Sequence, residues 1–271
     1  MMLDIQLILL LLLAGSIAGF IAGLFGVGGG IIVVPVTLWV LNTQHVESEY
    51  IQHIAVGTSL SVMVFTTSMS SWGHYKQKAI EGKVFRNMAP GIVIGSFIGS
   101  MLASFIPSKG LQIVFIIFSY LISVKTLVGF KPESSWNLPR PAGIFGVGSL
   151  IGSMSSLLGI GGGVFNVPFL LACKVPIKKA VGTSSTLSWA VAVSGAASYL
   201  WSGLQVADLP PGTFGFCYLP VAITLVITTT LFAPLGVKLT HVLPPKVMQI
   251  IFGLLLLVIS TQILFEWVIL K

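Results

Sequence analysis

Charge is what this sequence has least of. Only 8% of its 271 residues are Asp, Glu, Lys or Arg, against about a quarter in a soluble domain. With 55% of the residues hydrophobic, so little polar surface cannot cover an aqueous globule, and bilayer hydrocarbon is the natural solvent. Acidic residues are scarcer still, seven against fourteen basic ones. The net charge of +7 would suit nucleic acid if the basic residues formed a soluble patch. They lie between apolar runs instead, so no nucleic-acid partner is expected. Cysteine is almost missing. Cys173 and Cys217 share no metal-ligand spacing and read as free packing thiols. No Asp, Glu, Lys, Arg or His stands in the middle of a full span, since Asp4, Lys125 and Glu266 sit near ends. That argues against a carboxylate proton relay at the midplane. Paired carboxylates, a metal cluster and a Ser-His-Asp set are also missing, so neither an enzyme nor a bound cofactor is expected.

What the chain does have is apolar runs. They lie at roughly 3–24, 30–41, 51–72, 88–105 and 110–130, then at 142–158, 163–173, 180–201, 215–236 and 246–267. Most have the length of about 20 residues that a helix needs to cross about 30 Å of hydrocarbon. The runs 30–41 and 163–173 are too short and read as half-helices. Leu7 to Leu13 followed by Ala14-Gly15-Ser16 resembles a signal peptide, but no Lys or Arg precedes it and Asp4 stands where positive charge belongs. It reads as a retained first helix.

The two halves are copies. Gly26-Val27-Gly28-Gly29-Gly30-Ile31-Ile32-Val33-Val34-Pro35 matches Gly159-Ile160-Gly161-Gly162-Gly163-Val164-Phe165-Asn166-Val167-Pro168. Ala55-Val56-Gly57-Thr58-Ser59 matches Ala180-Val181-Gly182-Thr183-Ser184. Ile106-Pro107-Ser108-Lys109 with Gln112 matches Leu243-Pro244-Pro245-Lys246 with Gln249. The matches keep their order and their register with the apolar runs. The division is 1–130 for the first repeat, 131–141 for a cytoplasmic connector and 142–271 for the second repeat.

Basic residues then orient the copies, because cytoplasmic loops collect Lys and Arg. Lys76, Lys78, Lys83 and Arg86 share one loop, and Lys174, Lys178 and Lys179 another. The loops 42–52 and 202–214 hold none. With the rich loops inside, twelve of the fourteen basic residues are internal, and only Lys109 and Lys271 are external. The copies come out inverted and both termini external. The predicted fold class is an all-α integral membrane protein. It has two inverted-topology repeats, each a Gly-broken helix/half-helix hairpin plus three spans, with about eight full spans and two half-helices in all.

The candidate site follows from the glycine breaks. Gly28, Gly29 and Gly30, with Gly161, Gly162 and Gly163, let the backbone leave helical geometry. Unwound backbone at membrane depth is tolerated where it is buried in protein or lines a cavity. The N–H groups that open each half-helix lie along its dipole and suit an anion. Plain helix packing through small residues competes with this reading for a single copy; two copies at equivalent places favour a site. A nucleotide loop is excluded, because Ile31 and Val164 follow where Lys would have to stand. Thr58, Ser59, Thr183 and Ser184 can donate to an anion without fixed charge, while the other hydroxyls of these runs read as helix glue. Asn166 breaks the symmetry, since Val33 is its counterpart. A lone amide in an apolar half-helix is costly unless bonded. His53 and Lys178 are counterparts that read first as interfacial residues and second as electrostatic attractors.

These paired motifs carry a resemblance. The duplicated Gly-x-Gly-Gly-Gly with its Val-Pro pair, followed by Ala-Val-Gly-Thr-Ser, resembles the sulfite exporter TauE/SafE family of bacterial membrane permeases, over essentially the whole chain. The resemblance implies a permease for sulfite, a sulfonate or a related sulfur anion in the plasma membrane. Alternating access about a midplane site, surrounded by membrane lipid, is the expected mechanism. A proton gradient is the expected driver. A passive anion channel or a helper subunit is the alternative.

Overall fold

The computed structural model describes residues 4–44, 46, 48–127 and 137–240, with part of the segment 242–265. Lys131 and most of the connector, Pro245, Gln249, Glu266, Lys271 and much of the last apolar run lie outside the described residues.

The described chain is mainly helical. The first half holds α1 (Ile5–Phe25), α2 (Gly30–Thr43), α3 (Ile51–Lys76), α4 (Gly82–Ala103) and α5 (Ser108–Leu127). The second holds α6 (Pro141–Leu158), α7 (Gly163–Ala172), α8 (Ile177–Gly203) and α9 (Leu219–Thr240). Four described helices, α1, α3, α6 and α9, are both long and apolar enough to cross a membrane. At 22 and 27 residues, α4 and α8 have the length, but Lys83 and Arg86, Lys178 and Lys179, and many Ser and Gly dilute their hydropathy. At 14 and 10 residues, α2 and α7 reach about 21 and 15 Å, well short of about 30 Å of hydrocarbon.

Two boundaries differ from expectation. Helix α4 begins at Gly82, six residues ahead of the apolar run, because its first turns carry Lys83 and Arg86 at the membrane edge. Before α9 the chain forms a short hairpin, β1 (Thr213–Phe214) with β2 (Cys217–Tyr218), where a helix was expected from 215. Gly215, at φ 54°, makes its turn. Phe216, Cys217 and Tyr218 are buried, so this hairpin is apolar enough to resemble the start of a span.

Helices α3 and α8 form the centre, and most of their residues are buried. They meet through Ser70–Ser185 and Ser71–Thr186 hydroxyl pairs at 2.7 and 2.8 Å. Around them, α1 lies along α9 and α4 along α6, the two most extensive helix pairs. Contact at this range depends on missing side chains. A Cβ on Gly95 would strike the Ser149 carbonyl oxygen, and one on Gly19 the Thr229 carbonyl oxygen. Large apolar side chains such as Leu9, Leu13, Phe97, Leu150 and Leu231 point outward, as a lipid-facing surface requires. Ser123 donates to the Gly253 carbonyl at 2.9 Å and seats the last apolar run on α5.

Candidate functional site

The two glycine breaks meet at the centre of the molecule. Helix α1 ends in Gly26 at φ 67°, and Gly28 and Gly29 follow at 82° and 85°. Helix α6 ends in Gly159 at 68°, and Gly162 at 70° opens α7. These are left-handed conformations in which a Cβ clashes with the backbone, so glycine fits and other residues are strained. Gly161 N–H donates to the Val27 carbonyl at 3.0 Å, tying the breaks together. A Cβ on Gly30 would strike the Gly159 carbonyl, and one on Gly163 the Gly26 carbonyl. Helices α2 and α7 therefore both begin at this crossing. Helix geometry leaves their first N–H groups, those of Gly30, Ile31, Gly163 and Val164, without intrahelical acceptors.

The Gly-Thr-Ser motifs brace the crossing in exchanged pairs. Ser59 Oγ donates to the Gly159 carbonyl at 2.9 Å, and Ser184 Oγ to the Gly26 carbonyl at 3.1 Å. Each copy's serine thus holds the other copy's break. Thr58 Oγ1 accepts from the Tyr218 N–H at 2.8 Å, just before α9. Thr183 Oγ1 accepts from the Glu81 N–H at 2.8 Å, just before α4. Gly57 and Gly182 make room, because a Cβ on either would strike the Phe216 or Ala79 carbonyl. All four hydroxyls are buried and already have backbone partners.

Asn166 differs from them. Its side chain is 0% exposed, and neither Oδ1 nor Nδ2 has a hydrogen-bond partner among the described residues. Ser155 Oγ, on α6, is equally buried and unpaired. Leaving such groups unbonded costs about 1–3 kcal/mol each. Both groups converge beside Gly162, where a Cβ would stand only 3.1 Å from Asn166 Nδ2 and 3.1 Å from Ser155 Oγ, with Val191 next at 3.6 Å.

Met63 and Ser155 escaped the sequence reading, and Ser188 was read there only as helix glue. Met63, on α3, brings its methyl between the breaks, where a Cβ on Gly28 or Gly161 would run into it. Its counterpart on α8 is Ser188, which donates to the Gly26 carbonyl at 3.0 Å and to the Gly161 carbonyl. Aligning the copies pairs Met63 with Ser188 and Ala22 with Ser155. An apolar residue paired with a hydroxyl is the signal that could have singled out both positions.

His53 is not interfacial. It is buried, and its Nε2 donates to the Ala103 carbonyl at 2.9 Å, against Tyr50 and Phe216. Lys178 is exposed. Cys173 and Cys217 are buried free thiols, and burial pushes the Cys217 thiol's pKa up.

The sulfite exporter TauE/SafE family model matches residues 11–263. The chain belongs to this family. A "Probable membrane transporter protein" of Haemophilus influenzae is 33% identical, across 93% of this chain and 96% of that protein. A protein of the same description from Methanocaldococcus jannaschii is 29% identical across 91% of each chain. "Probable membrane transporter protein YunE" of Bacillus subtilis is 26% identical across 95% of this chain and 97% of its own length. No solved structure matches the chain. Family membership and the apolar helices make this a multi-pass membrane protein.

Proposed function

We propose that the chain is a secondary transporter of a small sulfur-containing anion such as sulfite or an organosulfonate, working by alternating access between two inverted copies. One observation carries the proposal: two half-helices begin at a shared crossing of glycine breaks beside a buried amide that no described residue satisfies. Each half-helix N-terminus is equivalent to about half a positive charge, so an anion is held without a buried Lys or Arg. Gly28, Gly29, Gly30, Gly161, Gly162, Gly163 and Asn166 form the binding region. Thr58, Ser59, Thr183 and Ser184 hold its frame. The exchanged hydrogen bonds support two copies related by a pseudo-two-fold axis, since each contact recurs with the copies swapped, and charge bias supports their inversion. Charge bias supports cytoplasmic loops at 76–86 and 174–179 and external termini, and the family supports the bacterial plasma membrane. Met63 closes the crossing, which favours a gated carrier over an open channel.

The test is flux of labelled sulfite in liposomes holding only this protein, with methanesulfonate and chloride as competitors. Saturable flux with counterflow, indifferent to chloride, is expected. Flux that never saturates would point to a channel. Absence of any sulfur-anion flux under imposed gradients would overturn the proposal.

A further inference from the structure

The unpaired groups at the second break specify more than negative charge. A primary amide presents a carbonyl acceptor and N–H donors side by side. Here both ends are buried and unbonded. A fully deprotonated oxyanion offers acceptors only. It satisfies Asn166 Nδ2, the Ser155 hydroxyl and the first N–H groups of α7, yet sets lone pairs against Asn166 Oδ1. Turning the amide over exchanges the ends and leaves the same mismatch. A protonated oxyacid group, with O–H beside a bare oxygen, matches both ends at once.

Charge gives the same answer. The N-terminus of α7 is worth about half a positive charge, which favours a single negative charge over two. Helices α1, α2, α6 and α7 carry no Asp, Glu, Lys, Arg or His. The titratable groups on the remaining helices around the site are His53, His74, Tyr75 and Lys76 on α3, and Lys83 and Arg86 on α4. Lys109, Tyr120 and Lys125 lie on α5, Lys178, Lys179 and Tyr199 on α8, and Lys238 on α9. They sit toward helix ends, apart from Tyr120 near the middle of α5. The first copy offers no second such place. Val33 and Ala22 stand where Asn166 and Ser155 stand in the second.

Resting on the transport reading above, we propose that Asn166 and Ser155, beside Gly162, bind a singly protonated, singly charged oxyanion. Hydrogensulfite is the sulfur member of that class. Its O–H donates to Asn166 Oδ1, and its other oxygens accept from Asn166 Nδ2 and Ser155 Oγ. Each anion carries one proton with it, so a proton gradient drives net movement with no carboxylate relay in the protein.

The experiment uses the full chain in liposomes, with protein-free vesicles subtracted, and two series of initial sulfite rates across the second pKa of sulfite. One series holds total sulfite constant; the other holds hydrogensulfite constant. The expected rate falls with rising pH in the first series, in proportion to the protonated fraction, and stays level in the second. A level first series, or a rate that follows the dianion, overturns the inference while sulfite transport itself stands. A fall in both series assigns the pH dependence to the protein rather than to the anion and also overturns it. No sulfite flux at all removes the transport reading and this inference together. Asn166→Val, which copies the first repeat, is expected to elute as the folded protein does and to lose at least about tenfold in rate, the weight of one or two lost hydrogen bonds. A folded Asn166→Val protein with unchanged rate and pH profile overturns the assignment to Asn166.

Discussion

Thr58 and Asn166 are both buried polar residues next to the glycine breaks, and they answer to opposite demands. Thr58 accepts the Tyr218 N–H where α9 starts, so Thr58→Val leaves a buried donor unpaired. A loss of about 1–3 kcal/mol is expected, read as a lower unfolding temperature in detergent. Thr183→Val removes the matching bond to Glu81 and should cost a similar amount. Because these bonds anchor different helices, the double variant should be close to additive. Asn166→Val removes two unsatisfied atoms and leaves no orphan partner behind. It is expected to hold or raise the unfolding temperature while transport falls. A residue that weakens the resting fold and is needed for flux is a binding residue rather than a structural one. The sequence marked both positions without separating them, because a hydroxyl or amide beside a break reads the same whether its partner is backbone or substrate.

At the scale of helices, packing rests on missing side chains. Gly95 lies against the Ser149 carbonyl and Gly146 faces open space. Gly95→Val should force α4 from α6 and sharply reduce folded yield, whereas Gly146→Ala, inside α6, should stabilise by about 0.5–1 kcal/mol through helix propensity. Equal effects of the two substitutions on the unfolding temperature would contradict this packing. Helix positions were legible from hydropathy to within a few residues, since a 3.6-residue helix in hydrocarbon needs a fixed length of apolar chain. The early start of α4 and the hairpin at 213–218 were not. The first turns of α4 are charged, and the hairpin is buried, so its residues are apolar without being helical.

For the whole molecule, the copies exchange partners: α1 with α9, α4 with α6, each serine with the other copy's break. The proposed inversion would place the loops after α3 and after α8 on opposite sides of the membrane. Single cysteines at Lys78→Cys and Asp208→Cys test this with a membrane-impermeant maleimide on intact cells. Asp208→Cys is expected to label directly, and Lys78→Cys only after permeabilisation. Labelling of both from one side would rule out inversion. The buried native thiols keep the background low.

The sequence by itself determined the solvent, the duplication and the two breaks. Composition and apolar length answer directly to the bilayer, and repeated glycines answer to backbone conformations that few other residues adopt. Tertiary structure decided which polar groups are spent and which are free. A hydrogen bond between residues a hundred or more positions apart, such as Ser59 with Gly159 or Thr58 with Tyr218, depends on where helices lie in space, and no local pattern encodes it.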